Sequence, residues 1–127
     1  MTEEQHHEDL IKGISEQLQP ILDKSQQAIY VYMDDTHKNC NKELATLLGY
    51  KSVREWVDTD APLADVEEES RQAVISAYYN AVEKLVASSL EVTVRNVKTR
   101  ELIKTRMILV PIAYGGHVLA LHFLSRI

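Results

Sequence analysis

The eight residues His117–Leu124, HVLALHFL, limit most tightly what this chain can fold into. Read with the two-residue period of a strand, Val118, Ala120 and Leu124 fall on one side and Leu119, Leu121 and Phe123 on the other. Neither side suits water, so the segment is expected to be a central strand of a sheet covered on both faces. His122 is the polar interruption in the middle of it, where a polar group needs a partner.

Earlier segments supply the neighbours of that strand. Leu90–Arg95 alternates apolar and polar and reads as a half-buried strand. Asn96–Arg100 is a polar turn, and Glu101–Ala113 is a long strand with Pro111 near its end, where a missing ladder donor costs least. Tyr114-Gly115-Gly116 has the composition of a tight hairpin loop. Nearer the N-terminus, Ala28–Met33 is a run of β-branched and aromatic residues, with Ile29, Val31 and Met33 on one side and Tyr30 and Tyr32 on the other. Asp34-Asp35-Thr36 is turn chemistry, and His37–Cys40 can form a brief second strand.

The remaining segments carry helix signals. From Thr2 to about Gln27, Leu10, Ile11, Ile14, Leu18, Ile21 and Leu22 recur at three- and four-residue steps, and Gly13 and Pro20 predict a kink or break near Gln19. Asn41 is placed to cap a helix over Lys42–Leu48, with Gly49 as its left-handed stop. Ser52-Val53-Arg54-Glu55 is a capping-box pattern opening a short helix that carries Trp56. Asp65-Val66-Glu67-Glu68 gives a similar start to a long core helix reaching about Ser88. Segregated helices and strands in this order predict an α+β domain with one antiparallel sheet of about five strands, helices on one face and an N-terminal helix. The length of 127 residues fits one domain: an amphipathic helix over 1–27 and a sheet domain over 28–127.

Composition removes several function classes. A net charge of −5 argues against nucleic acid or an anionic membrane as partner, and no apolar run approaches the roughly 20 residues of a membrane span. The acidic start MTEEQHHEDLIKG lacks the apolar core of a signal peptide, and a single cysteine rules out an internal disulfide, so the expected location is cytoplasmic.

The order of elements, together with Asp34-Asp35 after the first strand, Asn41 before a short helix, Leu48-Gly49-Tyr50 at its end and Val110-Pro111-Ile112 leading to Gly115-Gly116, resembles the PAS domain family over about Ala28–Ile127. The resemblance implies a sensory or interaction module that holds a small molecule between sheet and helices or serves as a docking surface. The family's light-sensing branch carries its flavin-adduct cysteine in a Gly-x-Asn-Cys-Arg context; here Cys40 lies in Lys38-Asn39-Cys40-Asn41, and a structural cysteine is expected. Haem-binding members place a histidine on a core helix, and Asp65–Ser88 has none. Haem and flavin are therefore not expected, and the identity of any cofactor stays open.

The candidate ligand site is Trp56, Tyr78, Tyr79 and His122, with a satisfied core histidine as the competing reading of His122. Leu10, Ile14, Leu18 and Ile21 are the candidate contact of a homodimer, the competing reading being that the stripe packs on its own domain. His6 and His7 point apart on a helix, so no metal site is expected there. Arg95, Lys98, Arg100, Lys104 and Arg106 gather positive charge, read as a solvated face or as a dock for an acidic partner. No nucleophile–base set, phosphate loop or zinc spacing is present. The leading expectation is a stand-alone sensor that binds a small molecule, or a signalling partner such as a kinase or regulator, and relays its state through dimerisation or docking. A ligand-free interaction module is the second reading, and a small enzyme of similar shape the third and weakest.

Overall fold

A computed structural model describes residues 2–127. The N-terminal helix α1 (Glu3–Lys24) is capped by Thr2, whose hydroxyl accepts from the Gln5 N–H at 3.1 Å. Strand β1 (Ala28–Asp34) turns into β2 (His37–Cys40), and three short helical segments follow: α2 (Lys42–Leu47), α3 (Val53–Val57) and a 3-10 turn at Pro62–Asp65. Helix α4 (Glu68–Lys84) then leads to a meander of β3 (Ser88–Arg95), β4 (Leu102–Tyr114) and β5 (His117–Arg126). The five strands form one sheet in the order β2-β1-β5-β4-β3, antiparallel throughout. The α+β architecture and the central position of the last strand are both as expected.

Two apolar layers explain why β5 is apolar on both sides. On one face Ala120, Leu124, Met107 and Leu109 pack with Leu44, Trp56, Val74, Ala77 and Ala81 of α2, α3 and α4. On the other, Ile29, Val31, Leu119 and Leu121 pack with Ile14, Leu18 and Leu22 of α1. Leu10 is buried as well, so three of the four residues considered for a dimer contact, Leu10, Ile14 and Leu18, lie against their own chain; Ile21 is about half exposed.

Several local expectations need correcting. Helix α1 runs through Pro20 without a break, because Leu18 and Leu22 on either side of it are both buried against the sheet. Gly13 has a packing role: a Cβ there would lie 2.1 Å from the Tyr114 hydroxyl, so the glycine lets β4 and α1 approach. Asp65 does not cap α4, whose N-cap, Glu67, makes no side-chain cap bond; Asp65 is buried instead. The helix also ends at Lys84 rather than near Ser88, since Leu85 turns left-handed at φ 57° and leaves Leu85 and Val86 exposed.

Other features are as the sequence reading placed them. The Asn41 carboxamide oxygen accepts from the Leu44 N–H at 3.0 Å, capping α2, and also from the Ile29 N–H, which ties the cap to β1. Gly49 takes φ 84° after α2. Gly115 and Gly116 both have positive φ, as a two-residue hairpin loop between β4 and β5 requires. Pro111 lies beyond Leu109, the last β4 residue paired with β3, so its missing N–H costs no bond on that side.

Candidate functional site

The helices do not close completely over the sheet. Between them lies a cavity of about 310 Å³ bordered by β1, β3, β4 and β5 below and by α2, α3, the 3-10 turn and α4 around it. This is at the low end of volumes typical of small-molecule sites. Trp56, Tyr78, Tyr79 and His122 all border it, so the four residues singled out from sequence, on three separate elements, are brought together.

Aromatic side chains line this space in continuous contact. Tyr30 stacks on His122, with ring centroids 3.9 Å apart and planes 13° from parallel, and lies 5.4 Å from Trp56. Tyr32 meets Tyr78 edge to face at 5.3 Å, and Tyr78 meets Tyr79 at 5.6 Å. The register explains this order: Tyr30 is directly opposite His122 across β1 and β5, so both rings emerge on the helical face. Tyr30, Tyr32 and Asp65 were missed as site residues. Their signal was present in the alternation of β1, but it becomes legible only once β1 is known to pair with β5.

Most polar groups around the cavity already have partners. The Tyr78 hydroxyl donates to the Met33 carbonyl at 2.9 Å, and the Tyr32 hydroxyl donates to the Asp35 carboxylate. The Tyr50 hydroxyl donates to Asp65 at 2.5 Å, and burial raises the Asp65 pKa above the ordinary carboxylate value. His122 differs in that its Nδ1 is fully buried and has no close hydrogen-bond partner among the described residues. Burial pushes the pKa of the ring down to about 3, so the imidazole is neutral at physiological pH. Both readings of His122 face the same geometry: a ring packed on Tyr30 beside the backbone of Ala120 and Tyr30, with Nδ1 left without a close partner.

Lys38 closes the β1–β2 end of this region. Its ammonium is buried and donates to the carbonyls of Asp35, Val57 at 3.0 Å and Thr59 at 2.6 Å, while lying 5.3 Å from the Trp56 ring centroid. Three donors meet three acceptors, so the buried charge is solvated by backbone dipoles and pins α3, hence Trp56, to the hairpin. Burial holds its pKa below the ordinary lysine value.

Cys40 is buried and does not border the cavity, and burial pushes its thiol up to about 12. A cysteine–flavin adduct does not fit this geometry. Of the basic residues, Arg106 pairs with Glu91 across β3 and β4 at 3.3 Å on the surface. His6 and His7 belong to the second turn of α1, facing His117 and His37 respectively.

No protein-family model matches the chain, and no curated protein matches it. Solved structures do. The chain is similar to a PAS domain from the fruit-fly ELK potassium channel, with a TM-score of 0.66 at 18% identity, over 88% of this chain and 95% of that one. It is similar to a PAS domain from a two-component sensor histidine kinase, with a TM-score of 0.64 at 9% identity, over 91% and 98%. A PAS domain of an HTR-like protein from Haloarcula marismortui gives 0.64 at 16% identity, over 92% and 94%. The fold is the PAS fold, and the likeness carries the architecture alone.

Proposed function

We propose that the chain is a sensory or signalling module that binds a small molecule in the aromatic cavity. The observation that carries this reading is a cavity lined mainly by aromatic and apolar side chains, with His122, a buried neutral imidazole, among the residues that border it. A buried polar group without a partner is costly, and a ligand that hydrogen-bonds to it recovers part of that cost on binding. The ligand is small and largely apolar, with a flat portion to lie among Tyr30, Tyr78 and Trp56 and one polar group for the imidazole. The PAS domain of a sensor histidine kinase has the same architecture, which supports signalling as the use of this site.

The relay is proposed to pass through a second copy of the chain or a docked signalling protein such as a kinase or regulator, in the cytoplasm. Residues of β4 with the same parity as Val110 and Ile112, which pack in the α1 layer, include Leu102 and Ile108, and these are 51% and 41% exposed. With Ile21 they leave apolar surface beside α1 for a partner. Native mass spectrometry of freshly purified protein tests both halves. A co-purifying small molecule that is lost from the His122→Ala protein supports sensing, and a doubled mass supports the dimer. A His122→Ala protein that retains the same molecule with unchanged affinity overturns the assignment of the site. Purified protein without any bound small molecule favours the ligand-free interaction module, the reading to which the exposed Leu102 and Ile108 also lend weight.

A further inference from the structure

Four of the chain's five histidines gather where the second turn of α1 meets the β1–β2 turn and the start of β5. His7 and His37 lie with ring centroids 5.4 Å apart and planes at 80°, and Asp34 sits between them. The Nδ1 of His37 is 2.7 Å from one Asp34 carboxylate oxygen, and the Nδ1 of His7 is 3.8 Å from the other. One donor atom from each of the three residues falls within 4.8 Å of the others.

The far side of each ring carries the second observation. His37 Nε2 is 2.9 Å from the Glu4 carboxylate, and His7 Nε2 is 3.8 Å from that of Glu3. Both imidazoles thus turn Nδ1 toward Asp34 and Nε2 toward a glutamate of the first turn of α1. A carboxylate on the remote nitrogen fixes the tautomer and aim of a metal-binding imidazole. Without an ion, His37 Nδ1 is hydrogen-bonded to Asp34, and an ion bound between the two would take the place of that proton.

We propose that His7, Asp34 and His37 bind one divalent transition-metal ion of the zinc class, with Glu4 and Glu3 as positioning residues. Two imidazole nitrogens and one carboxylate oxygen suit zinc, cobalt or nickel, whose bonds of about 2.0–2.1 Å set tetrahedral donors roughly 3.3 Å apart. The observed donor separations, 2.7 Å from His37 to Asp34 and 3.8 Å from His7 to Asp34, reach that spacing through rotation of the side chains. Three protein ligands leave one position open. The ion ties the start of α1 to the β1–β2 turn, whose Asp35 borders the cavity and accepts from Lys38. Local sequence could not show this site, because His7, Asp34 and His37 lie on three separate segments; the adjacent pair His6-His7 was a distraction.

The test uses the full chain without a histidine tag, stripped with EDTA and desalted, then titrated with cobalt(II) and back-titrated with zinc(II). The expected result is one equivalent of cobalt with the intense visible bands of a low-coordinate site, displaced by zinc, and a zinc-dependent rise in melting temperature. His7→Ala, at a partly exposed helical position that tolerates alanine, weakens cobalt binding more than roughly 100-fold and abolishes the rise; Glu4→Gln weakens it roughly 10–100-fold. His6→Ala leaves the affinity unchanged. A lack of saturable cobalt or zinc binding by the stripped wild-type chain overturns the proposal, as does binding unaltered by His7→Ala.

Discussion

His122 carries the sharpest consequence at the scale of one residue. In the unfolded chain its imidazole titrates at the ordinary 6.5, while in the folded chain burial holds it near 3. A depressed folded pKa means that this stability contribution is complete above pH 6.5 and is lost as pH falls toward 3, at up to about 1.4 kcal/mol per pH unit. Between pH 6.5 and pH 5 the loss amounts to about 2 kcal/mol. His122→Phe keeps a ring against Tyr30, removes the titration and removes the partnerless Nδ1, whose burial costs about 1–3 kcal/mol. Urea unfolding at pH 7 and pH 5 should show the wild-type protein losing about 2 kcal/mol more than the variant. Parallel losses would mean that His122 does not titrate across folding. The residue was visible in sequence because a polar group interrupts a strand apolar on both sides. That its Nδ1 lacks a partner was not visible, since this depends on what Tyr30 and the helices bring to it from elsewhere in the chain.

At the scale of elements, two helix ends show where local reading succeeds and where it stops. Gly49 announces the end of α2, and the structure gives it φ 84° with the Asn96 side chain 2.2 Å from where a Cβ would stand. That Asn96 side chain donates to the Leu47 carbonyl and accepts from the Lys98 and Thr99 N–H groups, joining α2 to the β3–β4 turn. Gly49→Ala is expected to lower unfolding free energy by about 1–3 kcal/mol, through the left-handed backbone and the displaced asparagine. Calorimetry with an unchanged Tm would contradict this. Leu85 is the opposite case. Its apolar character continues the stripe of α4 and masks the stop, which is set by the need to turn into β3. It takes φ 57° while 63% exposed, so it bears strain with little burial in return. Leu85→Gly should raise stability by about 0.5–1 kcal/mol, seen as a higher urea midpoint. A lower midpoint would show that Leu85 makes a stabilising contact. Asp65 misled for a third reason: a box-like pattern and a buried partner for Tyr50 ask for the same residue type.

For the whole molecule, the main question legible in sequence was what covers the second face of the sheet. The apolar faces of β5 required a cover, and the stripe of α1 required a surface, but nothing local said whether the two belonged to one chain. The structure joins them within the monomer: Leu10, Ile14, Leu18 and Leu22 are all less than a tenth exposed. This changes what removal of the helix should do. Were the stripe a dimer contact, a chain lacking residues 1–24 would drop to a lower oligomeric state. Four buried aliphatic side chains at about 1.5–3 kcal/mol each are comparable to a typical domain's entire stability of about 5–15 kcal/mol. The truncated chain would also present Ile29, Val31, Leu119 and Leu121 together as one exposed apolar face. Such a chain should bind a hydrophobic dye and associate rather than dissociate, through the uncovered sheet. Light scattering and dye fluorescence on protein beginning at Ser25 check this directly. A truncated chain that stays at the mass of one copy, binds no dye and unfolds at the full-length urea midpoint would show that α1 is dispensable and that the sheet tolerates an open face.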